Sequence, residues 1–88
     1  MVTWKDITSY SRGDKEQRPT TWRCFAGEVQ VTIVRDHIHY PGVWLLMAVP
    51  FYRQLVLTGI LTEDVSGAQQ VALEEIRRAL QEALAALA

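Results

Sequence analysis

His37 and His39 come nearest, by residue type and spacing, to a chemical site. Two positions apart on a strand, both imidazoles would point to one face and offer nitrogens to a zinc ion. Cys24 is a conceivable third ligand, but no fourth accompanies it, and the chain has neither a Cys-x-x-Cys nor a His-Glu-x-x-His pattern. The simpler reading puts both histidines half-exposed at a hairpin end, with Tyr40 packed beside them. A histidine could also activate Cys24 as a nucleophile. Yet Cys24 lies in mid-strand between Arg23 and Phe25, where a buried structural thiol is usual. Glu63-Asp64 and Glu74-Glu75 are sequence neighbours, and neighbours on a helix do not face each other. Their simpler role is to favour the positive end of a helix dipole. No glycine-rich phosphate loop occurs. The expectation is a protein without catalytic residues, metal or cofactor.

Basic residues suggest contact instead of catalysis. Arg12, Lys15 and Arg18 punctuate a polar stretch, Arg23 follows, and Arg35, His37, His39 and Tyr40 lie further along. These eight are the expected partner-binding residues, fit to meet an acidic protein surface or phosphates. Trp22, Phe25, Trp44 and Tyr40 would stack on bases if they faced outward, although Trp in a small sheet is more often core. Asp14 and Glu16 dilute the charge of the stretch. The Arg12-Gly13-Asp14 tripeptide is read as chance, because no secretion signal or disulfide framework accompanies it.

The whole-chain balance narrows the classes. Lys and Arg total 9 against 10 Asp and Glu, a net charge of -1, which argues against a protein that chiefly coats nucleic acid. Hydrophobic residues make up 49% and charged residues 22%, as in a globular chain and unlike a disordered one. The single cysteine cannot close an internal disulfide, so a reducing, cytoplasmic setting is expected. Met1 to Tyr10 has no signal-peptide core, and the apolar run Val43 to Phe51 is far short of the roughly 20 residues that span a bilayer. The 88 residues are expected to form one domain: a segment and polar loop over 1–19, a β-meander over 20–61 and a helix over 66–87.

Trp4, Ile7 and Tyr10, three apart, predict a short helical turn. Thr20 to Ala26 reads as a strand, Gly27-Glu28 as a turn, and Val29 to about Arg35 as a second strand with alternating apolar positions. Pro41-Gly42 reads as the next turn, leading to Val43–Val49, apolar on both sides and ended by Pro50. Leu55 to Leu61 reads as a fourth strand. Ser66 with Gln69 has the spacing of a capping box, with Thr62 as the other cap. Ala68, Val71, Ala72, Ile76, Ala79, Leu80, Ala83 and Leu87 then trace one wide helical stripe, with Leu80 expected in the core. The fold class is α+β: an antiparallel meander of three to four strands with one long C-terminal helix on one face. Two strands look apolar on both faces, so the second face needs the N-terminal segment, another protein or a second copy to cover it.

Tyr40-Pro41-Gly42, then Leu61-Thr62-Glu63-Asp64, then Ala68, Ala72 and Ile76 resemble the HicB-type antitoxins across about half the chain. In those proteins a glycine-containing turn and two strands precede a Thr-Glu helix start and an alanine-spaced helix. Phe51 to Gln54 departs from that family's Pro-Asp-x-x-Gly pattern, and no separate DNA-binding segment follows the helix. The resemblance implies a nucleic-acid-binding or antitoxin-type regulator. The whole chain, a small meander ending in an Ala/Leu-rich helix, also resembles phage and prophage accessory proteins, including anti-CRISPR inhibitors. That group shares size and action by binding instead of a motif, so no residue carries over. It implies a non-enzymatic module that occupies a surface of a larger intracellular protein, such as a nuclease or nucleoprotein complex. This is the leading expectation, and the regulator is the alternative.

Overall fold

The computed structural model describes residues 2–9, 18–49 and 51–87. They form β1 (Lys5–Asp6), β2 (Thr21–Ala26), β3 (Val29–His37), β4 (Tyr40–Ala48), β5 (Tyr52–Leu57) and α1 (Val65–Leu87). The strands lie side by side in chain order as one antiparallel sheet. The class is the α+β meander with a C-terminal helix that the sequence predicts, but with five strands.

The added strand corrects the helical turn expected around Trp4 and Ile7. Lys5 lies opposite Arg23 and Asp6 opposite Trp22. The Ile7 N–H donates to the Thr21 carbonyl at 2.9 Å. The Thr8 hydroxyl accepts the Thr20 and Thr21 N–H groups at 2.9 and 3.1 Å. A single helical turn leaves most of its backbone groups unpaired, whereas a sheet edge offers them partners. Tyr10 lies outside the described residues.

Residues directly opposite one another share a face. Asp6, Trp22, Ile33, Leu46 and Leu55 make one row across the sheet, and Arg35, Trp44 and Leu57 make the next on the same side. This is the core face, where Cys24, Val31, Ile33, Trp44, Leu46, Ala48 and Leu57 meet Ala68, Ala72 and Ile76 of α1. Alanine at two of the three helix contacts lets the helix backbone lie close to the sheet. The opposite face carries the rows Lys5–Arg23–Thr32–Met47 and Thr21–Val34–Leu45–Val56.

The β2–β3 turn falls at Gly27-Glu28 as predicted, with Gly27 at φ 63° as a type II′ turn requires. The β3–β4 turn does not fall at Pro41-Gly42. The chain reverses at Ile38-His39, with His37 opposite Tyr40, and Pro41 and Gly42 lie inside β4. The register slips between Arg35 and His37. There Asp36 at φ 53° and Gly42 at φ 77° bend the strands, and the Asp36 carboxylate accepts the Gly42 N–H at 2.9 Å. A bulge tolerates the proline's missing donor, so a turn is not required. β5 covers Tyr52–Leu57 instead of 55–61, and Pro50 lies outside the described residues.

The helix begins one residue earlier than expected, and its cap is neither Ser66 nor Thr62. The Asp64 carboxylate accepts the Gly67 N–H at 2.9 Å, the N-cap to N3 bond. Leu80 is 40% exposed and not in the core. Only Ala68, Ala72 and Ile76 of α1 are buried, so the predicted stripe continues past the edge of the sheet.

Candidate interaction surfaces

The eight expected contact residues do not gather on one surface. Arg12 and Lys15 lie outside the described residues. Arg35 is 6% exposed and stands as a correction, because its guanidinium faces the core and cannot meet a partner. It lies 5.2 Å from the Trp22 ring and 5.9 Å from the Trp44 ring. It donates to the Thr62 carbonyl at 2.9 Å and to the Pro19 carbonyl. Trp44 donates its indole N–H to the Leu61 carbonyl at 2.9 Å. This Trp–Arg–Trp cluster therefore fastens the 18–20 segment and the β5–α1 connection to the end of the sheet. Burial lowers the Arg35 pKa, and Arg18 adds to that, while Asp36 and Glu63 work in the opposite direction.

Arg18 sits just outside the cluster. It reaches Asp36 at 3.3 Å and Glu63 at 4.0 Å, so its charge is already matched on the surface. Arg23 lies on the open face of the sheet, half-buried, with its guanidinium 5.9 Å from the Phe25 ring. Phe25 is 56% exposed. Lys5 lies beside Arg23 across the β1–β2 pair. No residue of the open-face rows is acidic, so this side of the sheet is apolar with a positive edge. A shallow groove of about 480 Å³ runs over it between Ile7, Arg23, Gln30, Thr32, Met47 and Val49. Leu45, in the middle of this face, is fully buried.

His37, His39 and Tyr40 do gather, around the β3–β4 hairpin tip. The two imidazole centroids are 5.5 Å apart, and His37 lies 6.1 Å from the Tyr40 ring. The His37 Nδ1 accepts the His39 backbone N–H at 3.2 Å. Ile38 tops the hairpin at 85% exposure. Cys24 sits far from this group. Its strand partner Val31 is six residues from His37 along β3, roughly 20 Å at about 3.3 Å per residue. A Cys–His pair is therefore not assembled. Cys24 is 1% exposed, and burial pushes its thiol pKa up, the reverse of nucleophile activation. Among the described residues no three His, Cys, Asp or Glu are placed to hold a metal ion.

A second groove, of about 540 Å³, lies at the other end of the molecule. It is formed by Val2, Ala26, Leu73, Ile76, Arg77, Leu80, Gln81 and Leu84. Leu80, Leu84 and Leu87 are 40, 68 and 84% exposed. The sequence pattern counts Leu80 and Leu87 as core stripe, names Phe25 only as an aromatic that would stack on bases if it faced outward, and passes over Ile38 and Leu84. The signal for Leu84 was present as a four-residue step from Leu80. The exposure of Phe25 was legible only in the strand alternation that put Cys24 inside.

Together the geometry defines a small α+β domain with a helix on one side of its sheet and a basic, apolar surface on the other. No family model, no curated protein and no solved structure matches the chain. Among the described residues no helix is long and apolar enough to cross a membrane.

Proposed function

We propose that this protein is a non-enzymatic binding module that occupies a surface of a larger intracellular protein, using the open face of its sheet and the β3–β4 hairpin. The supporting observation is the exposed Phe25 beside Arg23 and Lys5, on a face whose paired rows hold no acidic residue. Aromatic and arginine side chains contribute most of the energy at typical protein interfaces, and positive charge selects an acidic counterpart. The hairpin adds Ile38 and Tyr40 at the rim. In its most specific form, the partner is a defence nuclease such as a CRISPR effector, and binding inhibits it. That form rests on the resemblance to phage accessory proteins.

The test is a pull-down from nuclease-treated lysate of the source organism, comparing the natural chain with an Arg23→Glu/Phe25→Ser variant. One protein held stoichiometrically by the natural chain and lost by the variant is the expected result. Equal recovery by both would remove the open face from the reading.

The same face supports a second reading as a nucleic-acid-binding or antitoxin-type regulator. Lys5 and Arg23 would meet phosphates while Phe25 stacks on a base. Salt dependence separates the two, since phosphate contacts give affinity that falls steeply with added salt, while an apolar protein interface barely responds.

A further inference from the structure

We infer that the groove on the open face of the sheet receives a short extended segment of the partner, in which one acidic side chain stands between two apolar ones. The inference rests on the open-face reading above and names what that face recognises. The groove crosses four neighbouring strands, and its chemistry is ordered along the way. Ile7, just past β1, lines one end. Arg23 of β2 and Gln30 and Thr32 of β3 line the middle, and Met47 of β4 with Val49 just past it line the other end. The groove is therefore apolar at both ends and polar between them, with one positive charge. Arg23 is half-buried, and among the described residues it pairs with no carboxylate, whereas Arg18 and Arg78 each have an acidic neighbour. Its guanidinium lies 5.9 Å from the Phe25 ring. A partly desolvated guanidinium gains more from a carboxylate than a fully hydrated one does.

Spacing and charge select the occupant. From the first strand to the fourth is about 14 Å at about 4.8 Å per strand, and side chains i, i+2 and i+4 of an extended chain share one face over about 13 Å. Three successive side chains on one face of a helix span only about 10 Å. At roughly 30 Å³ per non-hydrogen atom, the 480 Å³ groove takes about 16 atoms, which suits two aliphatic side chains and one aspartate or glutamate. The first apolar side chain enters beside Ile7 and the second between Met47 and Val49, so the acidic one between them meets Arg23. Gln30 and Thr32 offer hydrogen bonds to the segment's backbone, which has no sheet partner on this face. Lys5, across from Arg23, adds to the positive field. A nucleic acid fits this order poorly. Phosphates recur along a strand and call for a row of cations, whereas the groove holds one guanidinium between apolar ends.

The experiment selects random peptides of about 12 residues, displayed on phage, against the immobilised full chain, and then measures the enriched peptides by fluorescence anisotropy. The expected product carries Asp or Glu two positions from an apolar residue on each side and binds in the micromolar range. Arg23→Gln weakens it at least about 10-fold, and an Arg23→Glu chain selects Lys or Arg at the central position instead. Val49→Asp, at a position 73% exposed, keeps the natural circular dichroism spectrum and also weakens binding at least about 10-fold. Enriched peptides with no acidic residue, or binding indifferent to both Arg23→Gln and Val49→Asp, overturn the inference. A selection that enriches no peptide overturns it too, whether or not a single-stranded oligonucleotide then binds through Arg23. The open-face reading fails on a different result, a cellular partner retained by the Arg23→Glu/Phe25→Ser variant. Loss of that partner with no acidic pattern selected therefore overturns the inference alone.

Discussion

A guanidinium inside so small a domain needs partners, and among the described residues Arg35 is held by two indole faces and two backbone carbonyls, while its buried Nε has no hydrogen-bond partner. Replacing it with Met keeps the volume but leaves the Thr62 and Pro19 carbonyls without their donor. The expected loss is about 2–4 kcal/mol in urea unfolding, since charged hydrogen bonds and buried orphan acceptors each carry more than a neutral surface bond. Arg35→Lys should recover little, because one ammonium cannot fork to two carbonyls on separate segments. A loss below about 0.5 kcal/mol for Arg35→Met would show that the cluster holds nothing together. Cys24 gives a pH-dependent prediction. Its folded pKa is raised by burial, so its contribution is fully present below the ordinary thiol range. As pH climbs through that range the unfolded chain ionises while the folded chain does not, so stability falls. Cys24→Ala should remove that part of the alkaline slope, and the folded thiol should resist alkylation until the protein unfolds.

At the level of elements, α1 has an anchored half and a free half. Ile76 is 2% exposed, so Ile76→Ala should cost about 2–5 kcal/mol. Leu80 is partly in solvent, and Leu80→Ala should cost less than about 1.5 kcal/mol, measured by the same chemical unfolding. Equal losses would mean that the sheet supports the helix further than its buried contacts indicate. The cap is a separate device. Asp64→Ala should lose about 1 kcal/mol, and Ser66→Ala no more than about 0.5 kcal/mol, because the Gly67 N–H bonds to Asp64. Periodicity made the helix legible, since apolar residues three and four apart have one structural meaning over so long a run. Its cap was harder to find because Thr62, Asp64 and Ser66 all have suitable side chains, and only the path of the preceding loop selects one. β1 was hidden for a related reason. A two-residue strand has no periodicity of its own and exists because β2 offers it a hydrogen-bonding edge.

Over the whole molecule, the long helix projects past the sheet at one end, and the β3–β4 hairpin projects from the strands. The open face of the sheet and the helix overhang are thus distinct surfaces. Partner affinity carried by Phe25 and the hairpin should change little between low and moderate salt, while the Lys5–Arg23 edge adds a modest salt-dependent part to the association rate. Isothermal titration in two salt concentrations reads the first, and stopped-flow mixing reads the second. By itself the sequence determined the class, the C-terminal helix, the Gly27-Glu28 turn and the burial of Cys24, because alternation, helical spacing and turn chemistry are local. The tertiary structure decided that Arg35 is interior and Leu80 is not, that Pro41-Gly42 makes a bulge, and that the first residues join the sheet. Each of those outcomes depends on which distant segment supplies a hydrogen-bond partner or runs out of surface to cover. The spacing of side chains along one stretch of chain carries no record of that.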